Sequence, residues 1–217
     1  MSELNFTHSN GNKVKLATPD TLAANKTFKL PGADGSSGQF LKTDGSGALS
    51  FATPTNTIGL TDFDTWYLTS DLTGNTNPIV NNWSRWDRYG GTGTVTFAAP
   101  SSGIWIFPST GYWKIEYVGR FRSNGNSSER GCNASIYVAT DGSNYNFATQ
   151  SSTNLHKADD NTNISRGHTQ TSYIFDVTST STHKMKVDVG YQQRQTILEG
   201  HGAYLYTHIR FMKLGET

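Results

Sequence analysis

The sequence predicts an all-β protein in which a short N-terminal β-hairpin and an intertwined Gly-rich shaft precede an antiparallel jelly-roll sandwich. Three observations predict it. Aromatic residues make up 12% of the 217 residues although only 34% are hydrophobic and 16% are charged, and Ser, Thr, Asn and Gly fill much of the remainder. That mixture fits packed strands joined by many turns, because disordered chains are poor in aromatics and usually rich in charge. From Thr61 onward, apolar and polar residues alternate with the period of two that half-buried strands require. Turn signals such as TDGSN and TSTST separate these runs.

The chain divides into residues 1–24, a hairpin that anchors it; residues 25–60, a Gly-rich shaft; and residues 61–217, the sandwich. In the first segment Leu4 and Phe6 lie on one side of Asn10-Gly11, and Val14 and Leu16 on the other. Asn-Gly between alternating apolar residues is a strong short-range hairpin signal. TPDTLAAN follows as a turn or a single helical turn. In the second segment Phe28 and Leu30 share a face, Phe40 and Leu41 follow a Gly/Ser turn, and Leu49 and Phe51 share a face after DGSG. About two apolar side chains per strand, at about 25 cal/mol per Å², cannot offset the cost of ordering the turns between them. Copies of the same chain wound about a common axis would supply the missing apolar surface, with glycines permitting close approach. The shaft is therefore expected to be trimeric.

All five tryptophans, Trp66, Trp83, Trp86, Trp105 and Trp113, lie in the third segment. GIWIFPSTGYWKIEYVGRF contains two alternating runs. In the first, Ile104 and Ile106 oppose Trp105 and Phe107; in the second, Trp113, Ile115, Tyr117 and Phe121 oppose Lys114, Glu116 and Arg120. SIYVAT and TSYIFDV continue the series. HKMKVDVGYQ places Met185, Val187, Val189 and Tyr191 inward and Lys184, Lys186 and Asp188 outward. AYLYTHIRFMKL closes the set; if Leu205, Ile209 and Phe211 face the core, Tyr204, Tyr206 and Met212 face away from it.

The stretch KTFKLPGADGSSGQFLKTDGSGALSF resembles a segment of bacteriophage tail-fibre and related virion proteins, in which LP, DG, GQ-apolar-L and DG-x-G-x-L recur in that order. The region from Trp66 to Leu214 is similar to trimeric C1q/TNF-type heads. FPSTGYWKIEY resembles a strand that begins after a Pro and a Gly, TSYIFDVTSTSTHKMKVDV the penultimate hairpin, and AYLYTHIRFMKL the closing strand. The resemblance implies a homotrimer with aromatic and apolar side chains along its three-fold axis, and Tyr204 and Tyr206 are the candidates for that seam. It further implies a short tail fibre or spike that attaches to other virion proteins through its N-terminus and binds a host surface glycan or protein through its head. A capsid-decorating head fibre and a polysaccharide-depolymerase spike are the alternatives.

The composition excludes other classes. A formal charge of +1 provides no field for nucleic acid or an anionic membrane. No run approaches the roughly 20 apolar residues of a membrane-spanning helix, and the N-terminus has no cationic start followed by an apolar run, so the expected location is the virion, after synthesis in a host cytoplasm. The single Cys132 is expected to be a packing residue. Motifs for nucleophilic, zinc-peptidase, P-loop and dinucleotide chemistry are absent, so neither enzymatic activity nor a cofactor is expected. Asp159, Asn161 and Asn163 form a weak calcium candidate, since Ile164 stands where a calcium loop needs Gly. Glu116, Glu129, Asp141, Asp188 and Glu199 supply carboxylates, but no spacing singles out a pair.

Recognition has the better candidates. WSRWDRYGGTG brings Trp83, Arg85, Trp86, Arg88 and Tyr89 together in what reads as a loop, and TDGSNYNFATQ adds Tyr145 and Asn146. Aromatic faces stack on sugar rings, and guanidinium forks pair with carboxylate or phosphate. The competing reading places at least one of these tryptophans in the core and the others along a sheet edge or subunit seam.

Overall fold

A computed structural model of the chain describes residues 3–17, 21, 23–53, 60, 62–88, 93–94, 96–123, 129–156, 164–190 and 196–217. The chain divides into two compact units, Met1–Thr57 and Ile58–Thr217.

In the first unit β1 (Glu3–Thr7) and β2 (Lys13–Ala17) pair antiparallel, Leu4 opposite Leu16 and Phe6 opposite Val14. Gly11 takes φ +88°, a left-handed conformation that the tight turn needs and glycine adopts without strain. A second hairpin joins β3 (Phe40–Thr43) to β4 (Leu49–Ala52). Its turn is organised by Asp44, whose carboxylate accepts the N–H groups of Ser46 and Ala48 at 2.8 and 3.0 Å. Gly47 stands at φ +102°, and a Cβ there would run into the Thr27 carbonyl. Phe28 and Leu30 flank Lys29, which is joined to the hairpin by one parallel bridge to Ala48 rather than by a strand. Of the segment TPDTLAAN, Thr18, Pro19, Asp20 and Leu22 lie outside the described residues.

The second unit is a two-sheet sandwich of β5 (Phe63–Leu68), β6 (Leu72–Thr73), β7 (Trp83–Arg85), β8 (Ile104–Ile106), β9 (Gly111–Ser123), β10 (Glu129–Ala139), β11 (Asn146–Leu155), β12 (Arg166–Val177), β13 (Lys184–Gly190), β14 (Thr196–Leu198) and β15 (His208–Gly215). Among the described residues one sheet holds four strands in the order β11-β10-β13-β8. The other is organised around β9. β12 pairs along one edge of β9 for its whole length, while β15 and β14 follow one another along the opposite edge, backed by β5 with β7 and by β6. All of these strand pairings are antiparallel.

Period-two alternation decides what is buried. Trp113, Ile115, Tyr117 and Phe121 of β9, with Ile209 and Phe211 of β15, face Trp105 of β8, Ile136 of β10 and Met185 and Val187 of β13 across the interior. Phe97, from the connection between β7 and β8, fills the centre: it stacks on Phe211 at 3.9 Å and meets Trp105, Phe107 and Trp113 edge-on. Cys132 is fully buried in the same core.

Three sequence expectations need correction. TSYIFDVTSTSTHKMKVDV is not a hairpin: β12 pairs with β9 and β13 with β10 and β8, so residues 178–183 carry the chain from one sheet to the other. Both strands bury side chains in one core from opposite sides, and His183 stacks on Phe175 at the crossover. The closing strand begins at His208, because turns occupy residues 202–207, and Leu205 is half-buried rather than in the core. The reading of WSRWDRYGGTG as a loop also fails at its start, where Trp83–Arg85 form β7 against β5.

Candidate functional site

Strand β7 sorts the recognition candidates by parity. Trp83 lies opposite Leu68 and turns inward, edge-on to Trp105 at 5.9 Å, with its indole N–H donated to the Ile79 carbonyl. Arg85 lies opposite Trp66 and also turns inward. Its guanidinium covers the Trp66 ring at 5.1 Å, pairs with buried Asp64 at 3.3 Å and donates to the Phe97 carbonyl. Asp64 in turn accepts the Phe97 N–H at 2.7 Å and the Trp66 indole N–H at 3.0 Å. Trp83 and Arg85 therefore belong to the packing, correcting their assignment to a binding loop.

Trp86 comes next and faces the other way. Its backbone N–H reaches the Thr65 carbonyl, and its ring stands edge-on to Tyr67 at 5.1 Å. Tyr67 is fixed by donating its hydroxyl to the Gly202 carbonyl at 3.3 Å. Arg88 is exposed and lies over the Trp86 ring at 5.3 Å. Trp86 and Arg88 line an open pocket of about 430 Å³ with Ala203, Tyr204 and Leu205. Residues assigned from sequence to recognition, Trp86 and Arg88, thus meet Tyr204, assigned to a subunit seam, at one surface. Sequence reasoning missed Tyr67, Ala203 and Leu205, because the return of residues 200–207 to β5 is a tertiary contact without a local signal.

The pocket opens on the outer face of the β9 sheet. Tyr204 is exposed and stacks with Tyr206 at 5.8 Å, His201 lies against both rings, and Arg120 covers Tyr206 at 3.8 Å. Arg120 also holds Glu199 at 2.6 Å, and the same buried carboxylate is met by Arg122 and Arg166 at 3.4 and 3.3 Å. Nearby on this face His208 is buried opposite Val118 and Tyr67; burial and then the Arg210 cation push its pKa down to about 4. Glu116 is paired with Arg210 at 3.1 Å.

Of the remaining candidates, Tyr145 is half-buried beneath the Lys186 ammonium at 5.0 Å, and Asn146 is exposed at the start of β11. Phe28, Leu30, Phe40, Leu41 and Phe51 are exposed and Leu49 is half-buried. Tyr89, Asp159, Asn161 and Asn163 lie outside the described residues. Among the described residues no three His, Cys, Asp or Glu side chains gather as a metal set.

The carboxylates are dispersed. Glu116 has Arg210 and Lys114, and Glu199 has its three arginines. Asp141 accepts the N–H groups of Ser143 and Asn144, which lower its pKa to about 2. Asp188 is raised by burial on the other sheet, against the hydrogen bonds of Ser135 and Tyr137.

Two facing antiparallel sheets define a β-sandwich, and an open pocket of aromatic and basic side chains lies on the outer face of one of them. No protein-family model matches the sequence, and no curated protein does. Solved structures do match. Eiger TNF from S. frugiperda superposes with a TM-score of 0.53 at 7% identity, over 73% of this chain and 96% of its own. Murine APRIL matches with a TM-score of 0.45 at 12% identity, over 70% of this chain and 98% of its own. The Eiger likeness establishes the fold as a TNF-like jelly roll.

Proposed function

We propose that the chain is a non-enzymatic homotrimeric virion fibre or spike protein whose jelly-roll head binds a host surface and whose N-terminal unit attaches it to other virion proteins. The observation that carries this reading is the pocket of Trp86, Arg88, Tyr204 and Leu205, an aromatic wall beside a guanidinium on the outer face of a sheet. Such a pair suits a sugar ring with an acidic substituent, the ring on the indole and the acid on Arg88. The likeness of the DG-rich segment to tail-fibre sequences supports the virion assignment. Tyr206, stacked on Tyr204, lies on the adjoining surface, so binding sites repeated beside the subunit seams would give three contacts at fixed separation, and multivalency raises weak affinities by orders of magnitude.

The test is direct. Antibody against the head, gold-labelled on intact particles, is expected at the tail; label over the capsid would favour decoration, and no label would overturn the virion reading. Trp86→Ala should weaken cell adsorption of the purified chain at least tenfold while leaving its native mass unchanged. Loss of adsorption and mass together would make the Trp86 pocket a packing contact instead.

A further inference from the structure

The outer face of the four-stranded sheet carries a second aromatic and polar surface that the pocket on the β9 sheet does not use. Antiparallel register aligns it: Tyr137 of β10 stands between Phe147 of β11 and Lys186 of β13, and Ser135 stands between Gln150 and Asp188. Phe147 is 58% exposed, and Tyr137 meets its ring edge-on at 5.7 Å. A solitary exposed Phe needs no explanation. Here its neighbours do. The Lys186 ammonium lies over Tyr137 at 5.3 Å and over Tyr145 at 5.0 Å. Asp188 receives side-chain hydrogen bonds from Ser135 and Tyr137. Beyond it a polar ladder continues: the Ser135 hydroxyl lies 3.2 Å from the Gln150 amide oxygen, the Gln150 amide N–H donates to Ser152 at 3.4 Å, and Ser152 donates to Asn133 at 2.7 Å.

We propose that Phe147, Tyr137, Asp188 and Gln150 form a binding platform for a neutral oligosaccharide lying along β11. The exposed ring would take the C–H face of one sugar, and the Asp188 carboxylate and Gln150 amide would take hydroxyls of the same or the next ring. One carboxylate and one ring-bound ammonium leave the platform without net charge, so a polyanion gains little there. Its groups stand on paired strands, so little side-chain freedom is lost on binding. From Phe147 to Ser152 the strand spans about 17 Å, which accommodates a short run of sugars rather than one. The platform is on the opposite sheet from Trp86 and Tyr204, so it stands apart from the proposed pocket and seam.

Affinity electrophoresis of the full chain in native gels cast with glycogen, mannan or galactan tests this. Retarded migration is expected in at least one gel. Phe147→Ala should weaken it at least tenfold, Asp188→Asn should weaken it several-fold, and Phe147→Trp and Trp86→Ala should retain it. The idea is overturned by normal migration in all three gels, by retardation that survives Phe147→Ala, or by retardation lost in Trp86→Ala and kept in Phe147→Ala. A lower native mass of Phe147→Ala would also overturn it, because the ring would then serve a protein contact. Failure of the platform leaves the adsorption phenotype of Trp86→Ala as a separate readout of the proposed function.

Discussion

Glu199 is the carboxylate that gathers an arginine cluster at one end of the β9 sheet. Its side chain is only 6% exposed, and Arg120, Arg122 and Arg166 converge on it from β9 and β12. Removing the carboxylate leaves three cations facing one another, with Asp71, bound to Arg122 at 2.8 Å, the remaining carboxylate paired with them among the described residues. Glu199→Ala should therefore cost about 3 kcal/mol, the low end for breaking a buried ion pair, since the arginines can turn partly to solvent. A urea midpoint equal to wild type at neutral pH would refute that estimate. His208 supplies a second residue-level prediction, in acid. The unfolded chain takes up its proton near the ordinary value of 6.5, whereas the folded chain does so only near 4. The stability associated with the neutral ring is therefore complete above about pH 6.5 and declines as the pH falls through 4. Its total is about 3 kcal/mol, Arg210 adding to the effect and Glu116 opposing it. Urea unfolding at pH 7 and pH 4.5 measures it: His208→Gln should lose clearly less stability on acidification than wild type, and equal losses would count against the assignment.

At the scale of the element, β7 and the residue that follows it give two nearby tryptophans different roles. Trp83 fills a gap against Trp105, and its indole N–H is satisfied by a carbonyl; Trp86 lies on the outer face, touched by Tyr67 and Arg88. Trp83→Ala should cost about 3 to 5 kcal/mol as a cavity opens, while Trp86→Ala should stay within about 1 kcal/mol. Thermal melts of the two variants decide it, and equal losses would mean that Trp86 is also a packing residue. The sequence alone could not separate the two, because WSRWDRYGGTG is aromatic, basic and Gly-flanked throughout, and a three-residue strand is too short to show a period. Longer strands were legible. The alternation in β9 and β13 marks Trp113, Ile115, Met185 and Val187 as inward, and they are buried; Asn10-Gly11 marks the first hairpin. Partner choice was not legible, since β12 and β13 read as a hairpin when each in fact pairs across a different sheet. The same limit hid the meeting of Trp86 with Tyr204 and of Tyr137 with Phe147, which depends on pairing between distant segments.

At the scale of the whole molecule, the contrast between the two units bears on assembly. The sandwich has one core that encloses Phe97, Trp105, Trp113, Phe121 and Phe211, among others. In the N-terminal unit Phe28 and Leu30 are 65% and 77% exposed, and Phe40, Leu41 and Phe51 are between 41% and 49% exposed. Burying one such side chain completely is worth about 1.5 to 3 kcal/mol, and several per copy across three copies would offset the entropy of ordering this Gly-rich segment. Sedimentation equilibrium of the full chain should therefore give three times the 23.8 kDa mass of one chain. The combined change Phe28→Ser, Leu30→Ser and Leu41→Ser should shift dissociation to at least tenfold higher protein concentration, while the near-ultraviolet dichroism of the head, dominated by its five tryptophans, stays as it was. If instead the variant keeps its trimer mass on dilution, association must reside in the head, and Tyr206→Ala, which removes the ring beneath Arg120, becomes the substitution expected to release monomers. A wild-type chain that sediments at 23.8 kDa would leave both surfaces without a partner copy and would refute trimerisation at either unit.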